Sequence, residues 1–335
     1  MLSADDVRAV LGDDHLDVKT GSHDGTDSCA VTAGDRGAKV TVVDTTRIGA
    51  DTRRPSADVV SFAWTSDSGM LSVPVGHGWS GLFAMNDTNA VAGKATTTLT
   101  LTCGKGSEKS SPGGKQVKGL AVTVEADLGT NLDDPATRPA YVRIATSTAA
   151  KAARAYGCVT HLGDPTLRTV GLPVTEDEFE PLAKTTGTCV AVPTTTGVTT
   201  ARETARAGAP SEACLLADDG LGNHRYTLQA DFGPLRGPTQ GGIRAGEVQL
   251  GPHPGGRRHG TTPGRQGLLG KRRVPGRRRA GRVQGGVEGE SNGAGTSVGG
   301  RQRPAAPELT YARKALRAFA ERSAKAHGCT VPTTP

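Results

Sequence analysis

Aromatic side chains are scarce in this chain, with Phe, Trp and Tyr together supplying 3% of its 335 residues. Cores built without them rest on Val, Leu, Ile and Ala, bury less apolar area per side chain, and gain more from cross-links. No apolar run approaches the roughly 18 residues that cross a bilayer as a helix. No basic segment followed by an apolar one opens the chain either. Metal-type cysteine patterns are missing too: there is no CxxC pair, no Cys/His zinc spacing and no HExxH. Cys158-Val-Thr-His161 has a ligand-like spacing without a second half, and reads as a helix-end cysteine followed by a surface histidine. These absences remove the usual reasons for cysteines in a reducing compartment. They favour disulfides and an oxidising environment, with reduced buried thiols as the alternative.

A second absence is local. From Gly233 to Ala305 there is no Met, Phe, Trp, Tyr or Cys, while Gly and Arg supply 34 of the 73 residues. Such a segment cannot bury a core and reads as disordered. It holds 13 Arg and one Lys against three Glu, so it carries +11 and leaves the rest of the +7 chain at −4. The pI near 9.2 thus describes this stretch, and the remainder is mildly acidic. Gly, Arg, Pro and Ala have GC-rich codons, so GC-rich DNA read out of frame yields this mixture. A pair of frame changes is favoured over a genuine basic linker, and the N-terminus, which opens directly at a helix start, is read as lacking an upstream targeting segment.

Taken at face value, KRRVPGRRRAGR at 271–282 would contact phosphates in a salt-dependent way. No aromatic interleaves these arginines to stack bases, so nucleic acid is expected to be a non-specific partner at most. Gly270-Lys271 imitates the end of a phosphate loop, but Arg272 stands where Ser or Thr belongs.

What is present is an internal repeat. Residues 141–158, YVRIATSTAAKAARAYGC, align without gaps to 312–329, ARKALRAFAERSAKAHGC, sharing Ala149/Ala320, Ala153/Ala324, Ala155/Ala326, Gly157/Gly328 and Cys158/Cys329. Each copy reads as an amphipathic helix entered near a proline, Pro139 or Pro307, and stopped by a glycine suited to a left-handed C-cap. Upstream, Cys29 with the strand-like AKVTVVDT corresponds to Cys214 with RYTLQADFG, and TTTLTLTC and GLAVTVEADL add two more alternating runs. The expectation is an α+β protein of two related units, each an antiparallel sheet with a C-terminal helix packed on it. The Gly/Arg-rich stretch interrupts the second. The boundaries are 1–165 for the first unit, 166–232 for the start of the second, 233–305 for the anomalous stretch, and 306–335 for the closing helix and tail.

The cysteines sort by position in the unit. Cys103 ends a strand and Cys158 ends a helix, so these two are expected to bond, and Cys189 with Cys214 on the same logic. Cys29 and Cys329 are left as the unpaired candidates. A partner for Cys29 would fall upstream of Met1. One for Cys329 would fall near 274 or 288, by transferring the spacings of the first unit.

Chemistry is thin. Ser80 in HGWSGL and Ser68 in SDSG are the nearest to an activated nucleophile. Gly78-Trp79-Ser80-Gly81-Leu82 lacks the last glycine of a nucleophile elbow, although His77 lies close by. Asp13-Asp14, Asp133-Asp134, Asp218-Asp219 and Glu176-Asp177-Glu178 invite an acid or calcium reading. Each sits at a helix start or turn, where the backbone favours carboxylates, and Thr175 with Glu178 reads as a capping box. No cofactor and no metal site is expected, and a serine hydrolase is a distant alternative.

LSADDVRAVLG followed by Cys29 in a Ser-Cys-Ala-Val context resembles the start of small actinobacterial envelope lipoprotein domains, over residues 2–31 with an echo near 175–216. The whole chain resembles membrane-anchored streptomycete proteins with tandem units. That resemblance implies an upstream cysteine pairing with Cys29, a membrane contact only through an anchor preceding Met1, and no catalytic residues. The functional expectation is a non-enzymatic, extracytoplasmic, envelope-associated protein serving as a binding or interaction module for an envelope or protein partner. The alternative is a basic polyanion-associated protein acting through 271–282.

Overall fold

The computed structural model describes residues 4–11, 15–23, 26–45, 70–85, 94–104, 117–127, 134–175, 178–205, 209–218, 224–232, 268–273, 280–287 and 306–329, with Leu2, Ser107 and Leu132. It is an α+β protein with a large antiparallel sheet and a C-terminal helix. By contact density it divides into two units, the first running through Thr175 and the second made mostly of the residues after it.

The first unit begins with α1 (Ala4–Leu11), whose Val7 and Leu11 are buried at the helical spacing legible in the sequence. Seven strands follow: β1 (Asp17–His23), β2 (Thr26–Ala33), β3 (Arg36–Asp44), β4 (Val73–Gly76), β5 (Trp79–Met85), β6 (Lys94–Thr102) and β7 (Gly119–Asp127). They form one sheet in the order β1-β2-β3-β7-β6-β5-β4 with every pairing antiparallel. β-branched Val and Thr dominate the central strands, whose side chains suit a pleated surface. One face presents Val40, Val42, Leu99, Leu101, Leu120, Val122 and Val124 to the core. The other aligns Thr41, Thr123 and Thr98 in register across β3, β7 and β6, and the Thr98 and Thr123 hydroxyls hydrogen-bond at 3.2 Å.

Helix α2 (Thr137–Ala155) closes this core. Asp134 caps its start, accepting from the Ala136 amide at 2.9 Å and the Thr137 hydroxyl. Its inner face is largely alanine, with Ala145, Ala149, Ala152 and Ala153 buried. Alanine allows close approach but contributes little burial energy, against about 1.5–3 kcal/mol for a buried Val, Leu, Ile or Phe. The helix is therefore anchored elsewhere. Tyr141 stacks edge-on against Phe83 and donates to the carbonyls of Ala95 and Val124. The buried Arg138 donates to Val170 and Leu132 carbonyls, which holds the segment after the helix against its first turn. That segment runs back along β4, with Leu71 and Val174 bridged, so the first unit extends to Thr175 rather than stopping at 165.

The second unit holds β8 (Glu180–Pro181), a 3-10 turn (Leu182–Lys184), β9 (Thr200–Glu203), β10 (Ser211–Ala217), β11 (His224–Asp231), β12 (Leu268–Arg273), β13 (Ala280–Val287) and α3 (Ala306–Ala326). Its sheet order is β12-β13-β11-β10-β9-β8. Thr175 and Glu178 do not open a helix of ordinary length. Pro181 lacks a backbone donor and biases its neighbour to extended structure, leaving a two-residue strand and one 3-10 turn. Two strands also occupy part of the stretch expected to be disordered. β13 pairs with β11 and β12 with β13, because β11 offers an edge whose amides and carbonyls need partners. The rest of 233–305 lies outside the described residues.

Candidate functional site

Both long helices end in the same way. At α2, Gly157 adopts φ 60°, the Cys158 amide donates to Ala153 O at 2.8 Å and the Gly157 amide to Arg154 O at 3.2 Å. At α3, Gly328 adopts φ 61°, the Cys329 amide donates to Ala324 O at 2.7 Å and the Gly328 amide to Lys325 O at 3.2 Å. This is the 6→1, 5→2 pattern that satisfies the last carbonyls of a helix and needs a residue free to take positive φ. It fixes where the residues flanking the glycine point.

The residue before each glycine reaches a strand carboxylate. Tyr156 donates its hydroxyl to Asp27 on β2 at 2.5 Å. His327 Nε2 lies 3.2 Å from Glu212 Oε1 on β10, and the Ser323 hydroxyl donates to Glu212 Oε2 at 2.5 Å. Glu212 is fully buried, while 16% of the His327 side chain remains exposed. Burying a carboxylate costs several kcal/mol of hydration, offset only where its oxygens find donors, so Ser323 and His327 stabilise a group that would otherwise oppose folding. A cation one turn earlier repeats the theme. Lys151 donates to Leu2 O at 3.0 Å, and Arg322 donates to the Gly187 and Thr186 carbonyls.

Cystines complete both corners. Cys103 joins Cys158 with Cα atoms 4.9 Å apart, and Cys189 joins Cys214 at 5.3 Å; both are ordinary spans for the bond. Around the first, Gly104 donates to Val159 O and the Ser107 hydroxyl bridges Gly104 O and the Val159 amide. Around the second, Glu203 accepts three backbone amides, from Thr186, Gly187 and Cys189, at 2.6–2.8 Å. Cys29 is buried on β2 and Cys329 is partly exposed, and neither is bonded to another cysteine. Two disulfides point to an oxidising, extracytoplasmic environment.

No protein-family model matches the sequence, and neither a curated protein nor a solved structure matches it significantly. The residues themselves carry the functional argument.

Ser80 and His77 are engaged apart. His77, at φ 53°, and Gly78 form the two-residue turn from β4 to β5, and His77 Nε2 sits 3.0 Å from both the carbonyl and the hydroxyl of Thr169. Ser80 points from β5 to the Thr100 hydroxyl at 3.0 Å. Ser68, Asp13, Asp14, Asp133, Glu176, Asp177 and Asp219 lie outside the described residues. Among the described residues no group of His, Cys, Asp and Glu could hold a metal, and no helix is long and apolar enough to cross a membrane. Asp164 is held below the usual carboxylate range, first by hydrogen bonds from the Thr166 hydroxyl and amide. This is a turn stabilised locally. Of the basic run 271–282, Lys271, Arg272 and Arg273 lie on β12 and Arg282 on β13.

Sequence reasoning missed Asp27, Tyr156, Glu203, Glu212, Ser323, His327 and the bonding role of Arg322. A signal was available for four of them. Asp27 and Glu212 each stand two residues before a repeat cysteine, and Tyr156 and His327 each stand two before the helix-end cysteine.

Proposed function

We propose that this protein is a non-enzymatic, envelope-associated or secreted binding module built from two related units. The observation that carries the reading is the recurrence of one corner. A helix ending in the same glycine cap presses a polar ring side chain onto a strand carboxylate, at Tyr156/Asp27 and at His327/Glu212, with a cystine at the helix end in the first unit and on the strand in the second. Supporting it, the strand order β1-β2-β3-β7-β6 has a counterpart in β9-β10-β11-β13-β12. Among the described residues, Asp27, Glu212 and His327 are engaged in holding helix ends to sheets, which favours a scaffold that presents surface over one that turns over substrate.

The test is localisation and capture. Epitope-tagged protein, produced in the organism that encodes it, is expected in the envelope or secreted fraction. Cross-linking there should recover an envelope protein partner. A cytosolic, fully reduced protein overturns the reading. So does nanomolar, sequence-selective DNA binding at physiological salt, which would favour the basic run instead.

A further inference from the structure

The sheet of the first unit has two edges, and they differ. At one, the segment after α2 covers the start of β4, where Leu71 and Val174 exchange backbone hydrogen bonds at 2.8 and 3.1 Å. At the other stands β1, which among the described residues pairs with β2 alone. Its seven residues hold no proline and run beside β2 without a bulge. Two of the devices that blunt a sheet edge are therefore absent, and a row of amides and carbonyls is left for another strand. The third device, charge, is present in a form that admits a particular partner.

Register assigns the side chains of β1 to faces. Val18 stands opposite Val31 and Thr20 opposite Cys29, both buried in the core, so Val18 and Thr20 lie on the helix side of the sheet. Val18 is nevertheless 55% exposed. An apolar side chain on the core face of its own sheet is left uncovered at the place where an added strand would bury it. Asp17 and Lys19 lie together on the opposite face, both exposed, and no ion pair among the described residues engages either.

The run Asp17-Val18-Lys19 is complementary to its own reverse. A twofold axis through Val18, perpendicular to the sheet, sets Val18 opposite the partner's Val18, Asp17 opposite the partner's Lys19, and Lys19 opposite the partner's Asp17. Leu16, which packs against the core, then stands opposite the partner's Thr20. Apolar pairs and opposite charges directly across an antiparallel pair stabilise it, and like charges oppose it. Other centres fail on that rule. An axis through Asp17 or Lys19 sets like charges opposite each other, and one through Thr20 sets Val18 opposite Ser22 and Lys19 opposite Gly21.

We propose that β1 is a self-docking edge: two copies of this chain pair antiparallel through β1 about a twofold axis at Val18, joining their seven-stranded sheets into one continuous sheet. Main-chain hydrogen bonds supply the affinity, and the charges fix the register. One strand against one is a small contact, so the association is weak and concentration-dependent. It involves the first unit alone and stands or falls independently of the binding role proposed above.

The experiment is sedimentation velocity on the full oxidised chain, its free thiols alkylated so that Cys329 cannot cross-link copies. Asp17→Lys, Lys19→Asp and the two combined are run beside it, with circular dichroism to check that each folds. The parent is expected to dimerise reversibly. Each single substitution sets like charges opposite each other twice and should raise the dimer Kd about tenfold or more. The combined substitution restores two opposite-charge pairs and should return Kd close to the parent value. A parent that stays monomeric up to about 1 mM, where even a Kd of that size gives substantial dimer, overturns the proposal and leaves the edge to a strand of another protein. A dimer untouched by the single substitutions lies on another surface, and one not restored by the combination has another register; either result overturns it too.

Discussion

Glu212 and His327, 115 positions apart in sequence, meet with Oε1 3.2 Å from Nε2 at the end of α3, and Tyr156 and Asp27 meet 129 positions apart at the end of α2. The two pairs differ in burial. Glu212 has no exposed surface and two side-chain partners, whereas Asp27 is only partly buried.

That difference sets the order of two substitutions. Glu212→Ala strands the Ser323 hydroxyl and the His327 ring, and is expected to cost about 3 kcal/mol. Asp27→Ala is expected to cost about 1 kcal/mol. Urea denaturation followed by circular dichroism measures both, and an equal loss would contradict the burial argument.

Tyr141 makes the first unit sensitive to alkali. Burial, first, and then the nearby Glu125 carboxylate push its hydroxyl well above the ordinary value of 10.0. A raised folded value means the contribution is full below pH ~10 and declines as pH rises beyond it, because the unfolded chain releases the proton first. Tyr141→Phe should flatten the loss of stability above pH ~10 while lowering stability at pH 7 by about 1–2 kcal/mol through loss of the hydroxyl's hydrogen bonds to Ala95 and Val124. An unchanged alkaline slope would show that another group governs it.

Reduction should loosen the protein in two steps of similar size. Loop closure over 55 and 25 residues corresponds to about 4 and about 3.5 kcal/mol in the chain-entropy account. Cys103→Ser/Cys158→Ser and Cys189→Ser/Cys214→Ser, each compared with the parent by urea midpoint, check it. A double substitution that leaves the midpoint in place would mean that the hydrogen bonds at the corner suffice.

Gly163 is a place where a methyl group cannot fit. A Cβ there would lie 2.3 Å from Trp79 Cδ1 and 2.6 Å from the Trp79 amide nitrogen, while Trp79 Nε1 donates to Asp164 O at 2.9 Å. Gly163→Ala is expected to displace the indole, red-shift its emission and cost about 1–3 kcal/mol. Unaltered fluorescence would show that the loop yields instead.

Several features were legible in the sequence because they depend on neighbours along the chain. Alternating Val and Thr in 38–45, 96–103 and 119–128 marks strands, and Ala-x-Gly-Cys marks the ends of both helices. The absence of metal spacings points the cysteines toward disulfides, and the expected pairs Cys103–Cys158 and Cys189–Cys214 sit at bonding distance. Thr175 with Glu178 misled, since a capping signal cannot outweigh Pro181 six residues after Thr175. The composition of 233–305 concealed β12 and β13, which owe their pairing to the edge of β11 rather than to their own side chains.

The sequence by itself determined the central strands, the two long helices with their glycine-capped ends, and the disulfide reading of the cysteines, all set by local propensity and spacing. Only the tertiary structure decided which carboxylate meets which helix end. Strand order brings Asp27 to Tyr156 and Glu212 to His327 across more than a hundred residues, and register turns each carboxylate to the helix side of its sheet. A slip of one residue would face both the other way. Side-chain pairing over such distances follows from the summed packing of the sheets, which no short segment of the chain encodes.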